Sequence, residues 1–281
     1  MFLLRLLSKL SLSTLYGLAA LLFFLSFHVF RYRRKTVQKN LQNSFPDKST
    51  RELREIEKLF YRRFSYYTVE TLKLLTISRE EMISRVSLKN SSGFEEDLRS
   101  GQSVIVLASH QFNWEWVLIA AKAHLGFPML AVYQRINNKS FDKLMIEIRS
   151  RFGVQPVEKD NLLTIARDKG EARAIGFVAD QSPHRKIKNP YWTNFLSQET
   201  AFFPSIDFLP KLTSYPVYYI RSRFVSKGHY EIEWVKLSDP PYEKESTFII
   251  DRYIEEVEKL IREEPSAWLW THNRWKLKRK N

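Results

Sequence analysis

The chain has 281 residues, 44% of them hydrophobic and 27% charged, which excludes global disorder and allows a sizeable core in one large α/β domain or two small ones. Lysine and arginine number 45 against 31 acidic residues, a net charge of +14 that calls for anionic partners: phospholipid headgroups, phosphorylated substrates, acidic proteins or nucleic acid. Cysteine is absent, which rules out disulfides, a thiolate nucleophile and cysteine-ligated metals.

Ser11 to Phe30 carries no formally charged residue, with His28 counted as neutral. Twenty helical residues rise about 30 Å, roughly the hydrocarbon thickness of a bilayer. Arg31-Tyr32-Arg33-Arg34-Lys35 follows at once, against only Arg5 and Lys9 before it, so the positive-inside rule places the remainder in the cytoplasm. No small-x-small cleavage site follows the apolar run, which argues against a removed signal peptide. A single-pass span is the preferred reading. Ser11, Ser13, Ser26 and His28 weaken it, and a monotopic helix lying in the interface is the alternative. On either reading, residues 1–35 are a membrane anchor with a basic flank and residues 36–281 a cytoplasmic domain.

Thr36 to Phe45 reads as a polar helix ending at Pro46. Ser49 to Leu75 reads as a long one: Leu53, Ile56, Phe60, Phe64, Tyr67 and Leu72 recur at helical spacing behind a capping Ser49. Ser91-Ser92-Gly93 marks a turn before a short helix, Phe94 to Arg99. From Ser103 onward, strands (Val104 to Ala108, Met129 to Tyr133, Val154 to Val157, Ala174 to Ala179) alternate with helices (Trp114 to His124, Ser140 to Phe152, Leu162 to Lys169). Such βαβ units predict an α/β fold with a mainly parallel central sheet flanked by helices. Gln181 to Gln198 reads as a basic, aromatic loop. A helix over Ala201 to Leu212, strands over Val217 to Arg221 and Tyr230 to Lys236, and a helix over Thr247 to Arg262 complete the pattern.

Open α/β sheets place their sites beyond the carboxyl ends of their strands. Three inferred strands end at polar residues: Ser109-His110, Tyr133-Gln134-Arg135 and Asp180-Gln181. A histidine can take a proton from an alcohol, and a nearby carboxylate fixes its tautomer. Glu115 lies five positions after His110, a step that brings side chains together only if His110 sits in the turn and Glu115 in the first helical turn, with Asn113 as N-cap. Taken alone, such a pair is more often a strand-end His and a surface Glu. A metal set of His110, Glu115, Asp180 and His184 is disfavoured, because no tight pair such as His-x3-His is present. Arg149 reads either as a phosphate clamp or oxyanion donor, or as a solvated helix residue near Glu147. The terminal Trp268, Trp270 and Trp275 read as core, and Arg274 with Lys276 to Lys280 as a tail for the headgroup interface.

Blocks of sequence then fall in a telling order. The anchor leads into Arg31 to Lys35, then Asn40-Leu41-Gln42-Asn43-Ser44-Phe45-Pro46 and Phe60-Tyr61-Arg62-Arg63-Phe64. His110-Gln111-Phe112-Asn113-Trp114-Glu115-Trp116 follows, then Val132-Tyr133-Gln134-Arg135-Ile136-Asn137-Asn138, Ala179-Asp180-Gln181 and Trp268-Leu269-Trp270-Thr271-His272-Asn273-Arg274-Trp275-Lys276. Nearly end to end, the chain resembles the lipid A biosynthesis acyltransferase family, the lauroyl and myristoyl transferases, within the wider His-x4-Asp/Glu glycerolipid acyltransferases. The resemblance implies a cofactor-free and metal-free transfer of an acyl chain at the bacterial inner membrane. The donor would be the thioester of acyl carrier protein, with coenzyme A as the alternative, and the acceptor a hydroxyl of a lipid A precursor among inner-membrane phospholipids. It makes His110 the base, Glu115 its orienting acid, and Arg149, Asp180, Arg135, Tyr133 and Gln181 the substrate-binding side. Many relatives carry Arg-Pro where this chain has Gln134-Arg135, so Arg135 and Arg149 stand as alternative substrate contacts. A thioester is already activated, and no covalent acyl-enzyme is needed. The basic loop Arg185-Lys186-Ile187-Lys188 suits phosphates or the acidic carrier, or is merely solvated.

The nearest rival acts on another lipid, such as lysophosphatidate or an aminolipid, but the glycerophosphate-binding block expected of such relatives is not found. A membrane-associated nucleic-acid-binding protein would lack any RNA or DNA signature here and leaves the apolar segment without a role. A metal-dependent hydrolase is the third reading.

Overall fold

Apolar periodicity switches between helical and extended spacing along the chain, and the elements follow those switches. The structure, a computed structural model, describes residues 2–168 and 170–279. In chain order the elements are α1 (Phe2–Ser8), α2 (Leu12–Phe24, extended by a π-helical turn, Leu25–Val29), α3 (Arg34–Ser44), α4 (Thr50–Lys73), α5 (Arg79–Arg85), β1 (Val86–Lys89) and α6 (Ser92–Arg99). Next come β2 (Val104–Ala108), α7 (Trp114–Leu125), β3 (Met129–Tyr133), α8 (Lys139–Arg149), β4 (Gln155–Glu158), α9 (Leu162–Arg167) and β5 (Ala174–Val178). The last are β6 (Tyr191–Phe195), β7 (Gln198–Phe202), α10 (Ser205–Thr213), β8 (Val217–Ser226), β9 (His229–Ser238) and α11 (Phe248–Glu263). Lys169, expected to close a helix, and Lys280 of the basic tail lie outside the described residues.

Among the described residues, seven strands form one sheet in the order β1-β9-β8-β2-β5-β3-β4, parallel except for the β8–β9 hairpin. The expected α/β architecture is therefore present, with helices on the sheet's faces. β2 is apolar at every position and lies mid-sheet, where both faces are covered.

Some expected elements are corrected. The Gln181–Gln198 stretch contains β6, and Ala201-Phe202, expected to open a helix, belong to β7. Pro204 disfavours helical backbone in the residue before it, so α10 begins only at Ser205. β1 was hidden because its four residues follow a helix and alternate only weakly.

At the N-terminus, α4 starts with a capping box: Ser49 N–H donates to Glu52 Oε2 at 2.8 Å, and Glu52 N–H donates to Ser49 Oγ at 3.3 Å. Against α4 lies α2, whose Leu12, Leu15 and Ala19 are buried in one core cluster with Val69, Ile77 and Met82. Phe27, in the π-helical turn, packs with Val37, Leu41, Phe60 and Tyr61. Leu12–Val29 is also long and apolar enough to cross a membrane. The C-terminal segment zips back onto the end of β2: Phe112 N–H donates to the Ala267 carbonyl at 2.8 Å, and Leu269 N–H to the His110 carbonyl at 3.1 Å. Trp268 and Trp270 are core residues, as expected. Arg274, expected at the headgroup surface, is instead buried, with Nη2 donating to the Ala201 carbonyl at 2.7 Å.

Candidate active site

β2 and β5 are parallel neighbours with Ala108 paired to Val178, so their carboxyl ends open side by side. His110 follows one end and Asp180 the other. Nδ1 of His110 lies 2.6 Å from Oδ1 of Asp180, and the His110 backbone N–H donates to Oδ2 at 3.0 Å. Trp268 Nε1 donates to the same Oδ2 at 2.5 Å. Burial pushes the Asp180 carboxyl up, but the His110 ring, Trp268 and the backbone N–H outweigh it and hold the group below the ordinary aspartate range. An ionised carboxylate only accepts, so in the neutral ring Nδ1 carries the hydrogen and Nε2 keeps its lone pair.

Glu115 does not hold the imidazole. It sits in the first turn of α7 and forms a two-point ion pair with Arg149 at the end of α8: Nε to Oε2 at 2.9 Å and Nη2 to Oε1 at 2.5 Å. Among the described residues no hydrogen bond joins Glu115 to His110. A step of five residues turns the side chains apart, while the adjacent parallel strand presents a closer acid. Asp180, expected on the substrate side, is fully buried beneath the ring.

Trp114 links the two pairs. Its indole meets the His110 ring with centroids 5.0 Å apart, and Nε1 donates to Glu115 Oε1 at 3.2 Å. Tyr67 of α4 stacks on the same indole, with centroids 4.2 Å apart. Asn113 does occupy the N-cap position of α7, yet its side chain makes no cap bond; Nδ2 donates to Glu70 Oε2 at 3.1 Å.

A cavity of about 350 Å³ opens at these strand ends. Val106, Gly176 and Ala131 form one register row across β2, β5 and β3. Their small side chains leave a furrow in the sheet under Leu118 of α7, whose Cδ1 lies 3.4 Å from where a Gly176 Cβ would stand. Val154 and Ile220 add to the buried apolar lining, while His110, Tyr133, Arg149 and Gln181 line the cavity as its partly exposed polar residues. Arg135 lies outside the lining, exposed and paired with Glu158. Among the described residues, no three His, Asp or Glu side chains gather as a metal-ligand set.

A family model described as bacterial lipid A biosynthesis acyltransferase matches residues 1–277. The chain belongs to that family. No curated protein matches it closely enough to refine the kinship. The enzyme is thus an acyltransferase of lipid A biosynthesis, and its apolar N-terminal helix fits association with a membrane.

Three residues of this candidate site were not legible in the sequence as site residues. Trp114 was legible only as part of a block. Trp268 read simply as core, and only its indole N–H betrays a second task. His272 accepts from the Ser182 backbone N–H at 3.3 Å, behind the cavity wall. Burial, together with the charges of His110 and nearby cations, lowers His272 to about 4 against the partial pull of Asp180.

Proposed function

We propose that the enzyme moves a fatty acyl chain from the thioester of acyl carrier protein to a hydroxyl of a lipid A precursor, with His110 as general base. The observation that carries this reading is an imidazole fixed at 2.6 Å by a buried, ionised aspartate on the wall of an apolar cavity. Nε2 takes the hydroxyl proton as the lipid oxygen attacks the thioester carbonyl carbon. The tetrahedral oxyanion collapses to an ester, the C–S bond breaks, and the imidazolium returns the proton to the departing thiolate. Asp180 holds the ring's orientation and stabilises the imidazolium, and no acyl-enzyme forms.

The furrow of Val106, Gly176 and Ala131 suits the acyl chain, with Tyr133 and Gln181 receiving polar groups of donor or acceptor. Arg149 spends Nε and Nη2 on Glu115, while Nη1 makes no hydrogen bond among the described residues, which favours its meeting a carbonyl or phosphate oxygen. Arg185, Lys186 and Lys188 follow the cavity residue Ser182, and all three are exposed. Such a basic lip suits an acidic carrier protein, or the phosphates of coenzyme A as the other donor. The N-terminal helix seats the enzyme on the inner membrane with its catalytic domain in the cytoplasm.

Mass spectrometry of lipid A tests the reading. Cells carrying the enzyme are expected to gain one acyl chain relative to cells without it or with His110→Ala; identical lipid A in all three would overturn it.

A further inference from the structure

We propose that the apolar N-terminal helix lies flat along the bilayer surface, held there by the catalytic domain at both ends, and does not cross. The proposal rests on the membrane seat proposed above and adds its geometry. Leu12–Val29 is 18 residues. At 1.5 Å per residue that is about 27 Å, close to the ~30 Å hydrocarbon thickness, so a crossing helix would leave its ends on opposite sides.

Both ends are instead fastened to one folded unit. At the start, Arg5 Nη1 donates to Glu147 Oε1 of α8 at 2.6 Å. Lys73 Nζ of α4 donates to the Leu10 carbonyl at 3.0 Å, and Thr76 Oγ1 donates to the Ser8 carbonyl. At the far end, Tyr61 donates to the Tyr32 carbonyl and Arg33 Nη1 to the Thr271 carbonyl at 3.0 Å. Midway, Tyr16 donates to the buried Glu70 Oε1 at 2.8 Å, and Leu12, Leu15, Ala19 and Phe27 face the core. Glu70, Glu147 and Thr271 all belong to the catalytic domain. A crossing helix would have to break these contacts or drag that domain into hydrocarbon.

The outward side of the segment is bare. Phe2, Leu3, Leu6, Leu21, Phe24 and Phe30 are all more than 50% exposed, an apolar surface that demands a cover. Cations border it: the Arg62 guanidinium lies 5.6 Å from the Phe23 ring and the Lys227 ammonium 5.8 Å from the Tyr16 ring, and neither joins an ion pair among the described residues. Bare apolar side chains flanked by unpaired cations match the headgroup boundary of an anionic bilayer, with rings at the acyl level and cations at the phosphates.

The chain's lack of cysteine makes the test clean. Lys9→Cys, Arg31→Cys and, on the catalytic domain, Glu245→Cys replace exposed residues in the full-length enzyme. Each variant, checked for retained acyl transfer, is treated with a membrane-impermeant maleimide in sealed vesicles of either orientation. All three cysteines are expected to label from the same face. Labelling of Lys9→Cys only from the face opposite Glu245→Cys would overturn the flat helix and leave the membrane seat intact, whereas recovery of the enzyme in the soluble fraction would overturn both.

Discussion

His110 stands near two carboxylates of different character. Asp180 is buried and reaches Nδ1 at 2.6 Å, whereas Glu115 is committed to Arg149. A base needs an orienting acid that is ionised at neutral pH and fixed in place, and Asp180 meets both conditions. His110→Ala should lower kcat by about 10³-fold or more in steady-state assays, with thermal unfolding little changed; near-normal transfer would remove the base. Glu115→Gln should behave otherwise, because Arg149 loses its counter-charge: KM rises, and kcat falls by about 10- to 100-fold at most. A kcat loss matching that of His110→Ala would return the orienting role to Glu115. His110 was legible because a buried strand reveals where its own end falls. The His-x4-Glu pattern could not show that Asp180 is the carboxylate bonded to Nδ1, since spacing along a chain does not say which strand lies alongside; that contact spans 70 residues. His272 carries a consequence for pH. Its folded value near 4 lies below the ordinary 6.5, so the stability it contributes is complete above 6.5 and is lost as pH falls toward 4. The loss amounts to up to about 3 kcal/mol. His272→Gln should flatten the drop in Tm across that window, and an unchanged drop would contradict a buried neutral ring.

Elements set the shape of the cavity. Gly176 lies in the middle of β5, where a Cβ would meet Leu118 Cδ1 at 3.4 Å and the Leu130 carbonyl at 3.5 Å. Gly176→Val should fill the furrow and shift the preferred donor toward shorter acyl chains, read as relative kcat/KM across a chain-length series; an unchanged profile would place the acyl chain elsewhere. The alternating strands and helices from Ser103 to Val178 were legible, because the short apolar runs of β2, β3 and β5 differ in length and period from the helices between them. The β6–β7 hairpin was not. Its two-residue turn is Leu196-Ser197, both at positive φ (50° and 61°), in place of the Asn-Gly or Asp-Gly that usually marks such turns. Leu196 is fully buried, so tertiary packing holds a conformation that local sequence would not choose.

Across the whole molecule, Glu70 ties the parts together. Oε1 accepts from Tyr16 at 2.8 Å and from Gly228 N–H at 3.1 Å; Oε2 accepts from Tyr230 at 2.6 Å and from Asn113 Nδ2 at 3.1 Å. The N-terminal helix, α4, the β8–β9 turn and the approach to α7 thus meet on one carboxylate. Gly228 fits there because its φ is +69° and a Cβ would stand 2.6 Å from the Tyr16 hydroxyl. Glu70→Ala leaves these donors unpaired in the interior and should cost about 3 kcal/mol or more in chemical unfolding; a loss under about 1 kcal/mol would contradict the hub. In the sequence Glu70 is one more helix acid, and the apolar segment shows an affinity for lipid without showing that Leu12, Leu15 and Ala19 turn inward. Only long-range packing reveals either. The catalytic claim is tested most directly by the turnover of vesicle-reconstituted Asp180→Asn, alone and combined with His110→Ala. Asp180→Asn should lose about 10²-fold or more in kcat at unchanged KM, and the double variant should be no slower than His110→Ala, since the two residues act as a unit. Wild-type turnover by Asp180→Asn, or losses that multiply in the double variant, would contradict it.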